Sequence, residues 1–161
     1  MKTTILSSIL LLFFHLILSA QSFKTIFKDS DWLNKHLDDK DLVILHVDTK
    51  ENYDTGHIPG AQLILMSEYV TRTTDSIYTE LPDNTYLDSL FRARGISDQS
   101  KVVLYYGGER FASTFRLYYT FDYLGMSDNV FILDGGLTNW NKSGLPTSTD
   151  SVVVTPTPSA N

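Results

Sequence analysis

The chain contains no cysteine. That excludes disulfides and every reaction that runs through a thiolate, so the core must hold by packing alone. Positive charge is scarce: 13 Lys and Arg stand against 19 Asp and Glu, a net of −6, with no basic cluster. A nucleic-acid partner calls for a basic stripe and is not expected. No apolar run reaches the roughly 20 residues that span a bilayer. There is no internal repeat and no group of residues with metal-ligand spacing, so neither a metal nor a cofactor is expected.

What is present begins with a leader. Lys2 precedes a nearly unbroken apolar stretch, Ile5 to Leu18, and Leu18-Ser19-Ala20 offers a small residue at a cleavage point before Gln21. Residues 1–20 therefore read as a secretory signal peptide, and the protein as exported, periplasmic or extracellular, meeting a membrane only during export. The alternative is an uncleaved anchor. Without the leader the balance is 12 basic to 19 acidic residues.

One domain, residues 23–146, follows. Phe23 to Phe27 alternates as a short edge strand. Ser30 is placed to cap a short helix carrying Trp32, Leu33, His36 and Leu37. Leu42 to Val47 is apolar and β-branched, which predicts a strand covered on both faces. Glu51 to Tyr53 makes at most one helical turn. Ala61 to Leu65 is a third strand, and Met66 to Pro82 a polar surface connection without period. Leu81-Pro82-Asp83 starts a helix that presents Tyr86, Leu87, Leu90 and Phe91 and closes at Gly95. Lys101 to Tyr106 and Val130 to Leu133 are the fourth and fifth strands. Between them Phe111 to Leu124 is a helix so apolar that it should be packed around much of its circumference. Asp134-Gly135-Gly136 turns into a last helix, Leu137 to Lys142, anchored by Trp140. Residues 147–161, rich in Ser, Thr and Pro, read as a linker or tail. Strands alternating with helices predict an α/β fold of three layers, a five-stranded, mainly parallel sheet flanked by helices.

The stretch with the most chemical interest is Lys101 to Phe111, an apolar strand running through Gly107-Gly108 into a helix. In α/β proteins ligands gather at such a junction, where amides are unpaired and the helix N-terminus favours an anion. Gly107 and Gly108 could cradle an anion or simply shape the turn. Arg110 could attract an anion or pair with Glu109 in solvent. Asp48 and His57 could border a cleft; otherwise Asp48 caps a loop and His57 bonds backbone to fix its turn. His46, inside an apolar strand, reads as a satisfied core or interface histidine. Arg116 reads as a structural ion pair or backbone contact, and Trp140 and the tyrosines as core or interface aromatics. Tyr105 and Tyr106 together read as partly exposed.

Three pieces resemble the rhodanese, or sulfurtransferase, domain family. They are Val47-Asp48 with Tyr53-Asp54-Thr55-Gly56-His57-Ile58-Pro59-Gly60-Ala61; Gly95-Ile96-Ser97 with Lys101 to Tyr105; and Arg116 to Gly125 followed by Val130 to Gly136, Trp140, Gly144 and Pro146. The resemblance implies the rhodanese-like fold over the whole domain. It also implies that the fourth strand of a catalytic member ends on a cysteine, whose thiolate carries sulfur as a persulfide. The residue here is Tyr106, a phenol with no route to a persulfide. Tyr106, Gly107, Gly108, Glu109, Arg110 and Phe111 are then a vestigial active-site loop without a catalytic nucleophile.

The chain is similar to the cysteine-less N-terminal half of tandem thiosulfate or 3-mercaptopyruvate sulfurtransferases. That implies a second rhodanese domain beyond Asn161, and catalytic silence for this part alone. A complete exported binding module that recognises a partner or a small sulfur-containing anion without turnover is the alternative. An autonomous enzyme lacks a visible nucleophile–base pair.

Overall fold

The computed structural model describes residues 25–71 and 79–158. The leader and Phe23 lie outside them. Two six-residue strands make the centre of the sheet: β2 (Leu42–Val47) and β4 (Lys101–Tyr106), paired in parallel along their whole length from Leu42↔Lys101 to Val47↔Tyr106. β3 (Gln62–Ile64) adds to the free side of β2, β5 (Val130–Leu133) to β4, and β1 (Phe27–Lys28) to β5. All four pairings are parallel, so among the described residues the sheet has no antiparallel member.

Alternation along the central strands supplies two cores. Leu45, Val47, Val102 and Leu104 face one side, where they meet Tyr69, Leu87, Phe91, Leu117 and Phe121. Ile44, Val103 and Tyr105 face the other, against Leu33, Ile58, Ala61 and Trp140. Burial on both faces is why these strands read as continuous apolar runs. The first side is covered by α3 (Met66–Tyr69), α4 (Asn84–Arg92) and α5 (Phe111–Tyr123). The second carries α1 (Ser30–His36), α2 (Lys50–Thr55) and α6 (Gly136–Lys142).

Several local expectations are corrected. The cap of α1 is Asp29, whose carboxylate accepts the Trp32 N–H at 2.7 Å; Ser30 is the first helical residue and is buried. Among the described residues the first strand is Phe27–Lys28, which shares Phe27 with the expected stretch and leaves Thr25 and Ile26 outside it. α2 runs six residues because Thr49 caps it, bonding the Asn52 N–H, and Tyr53 anchors it through a hydrogen bond to the Ala61 carbonyl at 2.7 Å. The connection after β3 contains α3 with Tyr69 fully buried, then a bridge between Thr71 and Glu80. In α4, Leu87 and Phe91 are buried while Tyr86 points outward.

The tail lies on the domain. Ser148 and His57 exchange backbone hydrogen bonds at 2.8 and 2.9 Å. Val152 and Val154 share a shallow hollow with Gln62 and Leu63 of β3, and the alternate Val153 is 94% exposed. Thr157 then bonds the Ile96 carbonyl through its hydroxyl at 2.8 Å and the Arg92 carbonyl through its N–H at 2.9 Å. The tail thus straps the β3 edge, the kind of open edge that otherwise invites strand addition. Ending the chain after Pro146 should cost about 2–4 kcal/mol, from a handful of hydrogen bonds at roughly 1 kcal/mol each plus two half-buried valines. Urea unfolding measures this, and an unchanged midpoint would show that the strap contributes nothing.

Candidate functional site

Chain direction diverges between β2 and β4. From β2 the chain moves outward to β3, and from β4 it moves the opposite way to β5. A crevice at the carboxyl ends of parallel strands forms at such a switch point. Asp48 follows β2 and Gly107 follows β4, so the parallel register sets them side by side. The Lys101–Phe111 stretch therefore stands where a ligand site belongs in this topology.

Tyr106, which the resemblance sets at the nucleophile position, is half-buried, and its ring leans on the Gly135–Gly136 turn. A Cβ at Gly136 would overlap the Tyr106 carbonyl oxygen and stand 3.0 Å from ring Cδ2. Gly107 is buried on a polar floor. A Cβ there would overlap Asp48 Oδ2 and come within 3.0 Å of His46 Nε2. Gly107 is thus required by close approach, whereas Gly108, at φ +53°, is required by its backbone conformation. Gly108, Glu109, Arg110 and Phe111 are exposed.

The floor has unusual polarity. Asp48 Oδ1 accepts the Thr49 N–H at 2.7 Å and the Asn52 side-chain amide at 2.8 Å, so it ties down the loop that leads from β2 into α2. Its Oδ2 has no hydrogen-bond partner and lies 3.6 Å from His46 Nε2, beyond hydrogen-bond length. Both side chains are fully buried. Neither ring nitrogen of His46 is bonded, so this histidine is buried but not satisfied, contrary to expectation. It stacks on Tyr105, rings 4.4 Å apart. Burial drives its pKa down from 6.5 to about 4, outweighing the pull of Asp48 the other way, and His57 adds to the depression. Tyr105 is fully buried rather than partly exposed. Its hydroxyl oxygen accepts the Ile58 N–H at 3.0 Å, and burial pushes its pKa far up.

Arg110 turns to Asp48, Nε to Oδ1 3.8 Å, and not to Glu109. Together they border an open hollow of about 350 Å³ with Thr49, Lys50, Leu65 and Met66. His57 is elsewhere. It is fully buried, stacked on Tyr53 at 3.8 Å, its ring nitrogens 3.0 and 3.1 Å from the Tyr53 and Asp150 carbonyls. It therefore does not line a cleft; it ties the loop to the tail. Arg116 donates to the Thr79 carbonyl at 2.6 Å, a backbone contact. A larger hollow, about 430 Å³, lies between Ile96, Ser100, Phe121 and Met126, at the opposite end of β4 from the loop. Parallel-sheet chemistry is not sited at that end. Sequence reading missed the His46–Asp48–Gly107 group. The spacing of His46 and Asp48, two apart across the end of β2, was the available signal.

Chemically, the loop has a carboxylate beneath it, a second at Glu109, and one half-exposed arginine already facing the first. An anion resting on the loop amides would meet like charge. Among the described residues no hydroxyl at the loop is paired with a histidine, and no group of three or more acidic or histidine side chains could hold a metal.

The Rhodanese-like domain family model matches residues 29–143. A Mycobacterium leprae protein named thiosulfate sulfurtransferase is 32% identical over 124 residues, 76% of this chain and 43% of that protein. The sulfur carrier protein TtuD of Thermus thermophilus is 32% identical over 122 residues, 75% of this chain and 41% of the relative. The chain thus spans less than half the length of these curated relatives. Among solved structures, SseA of Escherichia coli, described as a 3-mercaptopyruvate sulfotransferase, superposes with a TM-score of 0.70 at 26% identity, covering 83% of this chain and 54% of its own. The 3-mercaptopyruvate sulfurtransferase of Leishmania major, at 16% identity and a TM-score of 0.73 over 88% of this chain and 41% of its own, shares the fold.

Two outcomes test the polar floor. Gly107→Ala should destabilise by about 1–3 kcal/mol in urea unfolding, the usual cost of overpacking, and by much less when Asp48 is also Ala; equal costs in both backgrounds would refute the close approach. Unfolded His46 takes up its proton near 6.5 and folded His46 only near 4. Its contribution is therefore complete above pH 6.5 and is lost as pH falls through that window, by up to about 1.4 kcal/mol per unit. In His46→Phe, stability at pH 7 should be kept or raised and this part of the acid slope should flatten.

Proposed function

The chain belongs to the rhodanese-like domain family, and within it we propose that this domain is the non-catalytic half of a two-domain sulfurtransferase. One observation carries the reading: the strand end that would bear the sulfur-carrying thiol bears Tyr106, its ring set against Gly136. The negative floor under Gly107 supports it, since a persulfide or thiosulfate anion would be repelled there rather than held. So does the length of the chain against its relatives, 43% of the protein named thiosulfate sulfurtransferase and 41% of the one named sulfur carrier.

In this reading the domain supplies structure and one wall of a cleft. The hollow between Asp48, Arg110 and Met66 is the part of that wall nearest the loop. The reacting thiol, and the thiosulfate or 3-mercaptopyruvate it would use as donor, belong to a second rhodanese domain beyond Asn161. The leader, residues 1–20, directs export to the periplasm or beyond.

The test is an assay of thiosulfate:cyanide sulfurtransfer on the purified chain. No turnover above a buffer blank is expected. Turnover that disappears in Tyr106→Phe would overturn the proposal. The reading frame past the codon for Asn161 decides the tandem part: a second domain with a cysteine loop is expected, and a stop with no such domain nearby would defeat it.

A further inference from the structure

α5 is built inside out. Its buried positions are Thr114, Leu117, Thr120 and Phe121. Its outward positions carry rings at a strict spacing of four: Phe111, Phe115, Tyr119 and Tyr123. Phe111 is 56%, Tyr119 61% and Tyr123 63% exposed. Phe115 is half-buried against Phe27, centroids 6.2 Å apart, and Phe27 is itself 42% exposed. A spacing of four forms one continuous ridge on a helix. Isolated exposed rings are ordinary, but a contiguous ridge of them marks an interaction surface.

The ridge is nearly free of charge. Arg116 is turned aside onto the Thr79 carbonyl. Asp122 is the one carboxylate of the helix, and it accepts the Ser127 hydroxyl at 2.6 Å. Enrichment in aromatics with depletion of charge is the signature of an interface core. The acidic balance of the chain, −6, argues against an anionic lipid surface, and the basic residues nearest the ridge are engaged within the domain: Arg110 with Asp48, Arg116 with the Thr79 carbonyl, Lys28 over the Trp32 and Phe131 rings.

We propose that this face binds a second copy of the same chain, two α5 helices packing antiparallel about a two-fold axis. The ridge is self-complementary. Its four rings are placed symmetrically about Leu117, so the two-fold sets Phe111 against the partner's Tyr123 and Phe115 against the partner's Tyr119. The same register sets Asp122 against the partner's Ala112, so the two carboxylates do not meet. Ridges of this spacing interlock at a crossing angle near −50°, and an isologous contact is the commonest way a chain pairs with itself. At 150–250 Å² per ring, the exposed parts of Phe27, Phe111, Tyr119 and Tyr123 offer roughly 400 Å² per copy. The pair then buries about 800 Å² before its polar flanks, close to the ~1,000 Å² floor for a specific interface. The dimer is accordingly weak, dissociating in the roughly micromolar range. The inference is independent of the sulfurtransferase reading.

Sedimentation velocity on the purified chain tests it. The mass should rise from one chain to two as concentration increases through the micromolar range. Phe111→Glu and Tyr119→Lys should each weaken association at least about tenfold while leaving the circular dichroism and melting temperature of the monomer unchanged, since both side chains are exposed. The chain has no cysteine, so a crosslink reads the register directly: mixed Ala112→Cys and Asp122→Cys chains should form a disulfide dimer on mild oxidation, and Ala112→Cys alone should not. A monomer at every concentration, or a dimer indifferent to Phe111→Glu and Tyr119→Lys, would overturn the proposal.

Discussion

The pairing of β2 with β4 is the constraint on which the rest depends. Six residue pairs in parallel register, Leu42↔Lys101 to Val47↔Tyr106, fix which side chains share a face. They set Leu45 and Leu104 in one core and Ile44 and Val103 in the other. Continued past the strand ends, the same register lays Gly107 over Asp48 and His46. A slip of one residue would exchange the faces of every central side chain. The two hydrophobic cores thus enforce a polar contact that stabilises little by itself, with three polar atoms left unbonded in it.

That order of cause makes the frame of the crevice independent of the chemistry of its loop. The crevice, the glycine loop and the helix that follows are consequences of topology and packing. Gly107 is required by the approach of Asp48 and Gly136 by the approach of Tyr106, whatever the loop holds. Only the side chain at position 106 and the charges around the loop bear on sulfur chemistry. A thiolate site needs amides and cations converging on an anion. Here Asp48 takes the attention of Arg110, and Glu109 adds a further negative charge.

The sequence was informative where information is local. β2, β4 and β5 read as apolar β-branched runs, Asp83 as a helix start and Gly95 as a helix end, because burial, capping and positive φ leave marks on single residues. It was silent where structure depends on a distant partner. Arg110 and Asp48 meet across 62 positions, and nothing in either neighbourhood selects that pairing over Arg110 with Glu109. α3 is too short to show a period. The tail is polar and proline-bearing, and its hold on the domain is largely backbone hydrogen bonding through Ser148 and Thr157, to which composition is blind. His57 was legible as a turn-fixing residue, but its second carbonyl, on Asp150, lay out of view.

α5 shows how a helix can be well packed and still present an apolar face. Its inner side must approach the sheet closely, which favours small residues. Thr114 and Thr120 fit, and each returns its hydroxyl to its own helix, on the Arg110 and Arg116 carbonyls at 3.3 and 3.0 Å. Those bonds remove the cost of burying a polar atom. Leu117 and Phe121 supply the apolar contact, and Tyr69 from α3 closes the upper end by donating to the Ser113 carbonyl at 2.9 Å. The inner contacts are therefore complete without Phe111, Tyr119 or Tyr123. Three large exposed rings on the helix that begins at the Tyr106 loop, Tyr119 edge-on to Tyr118 of the same helix at 6.1 Å, belong to the surface rather than to the core.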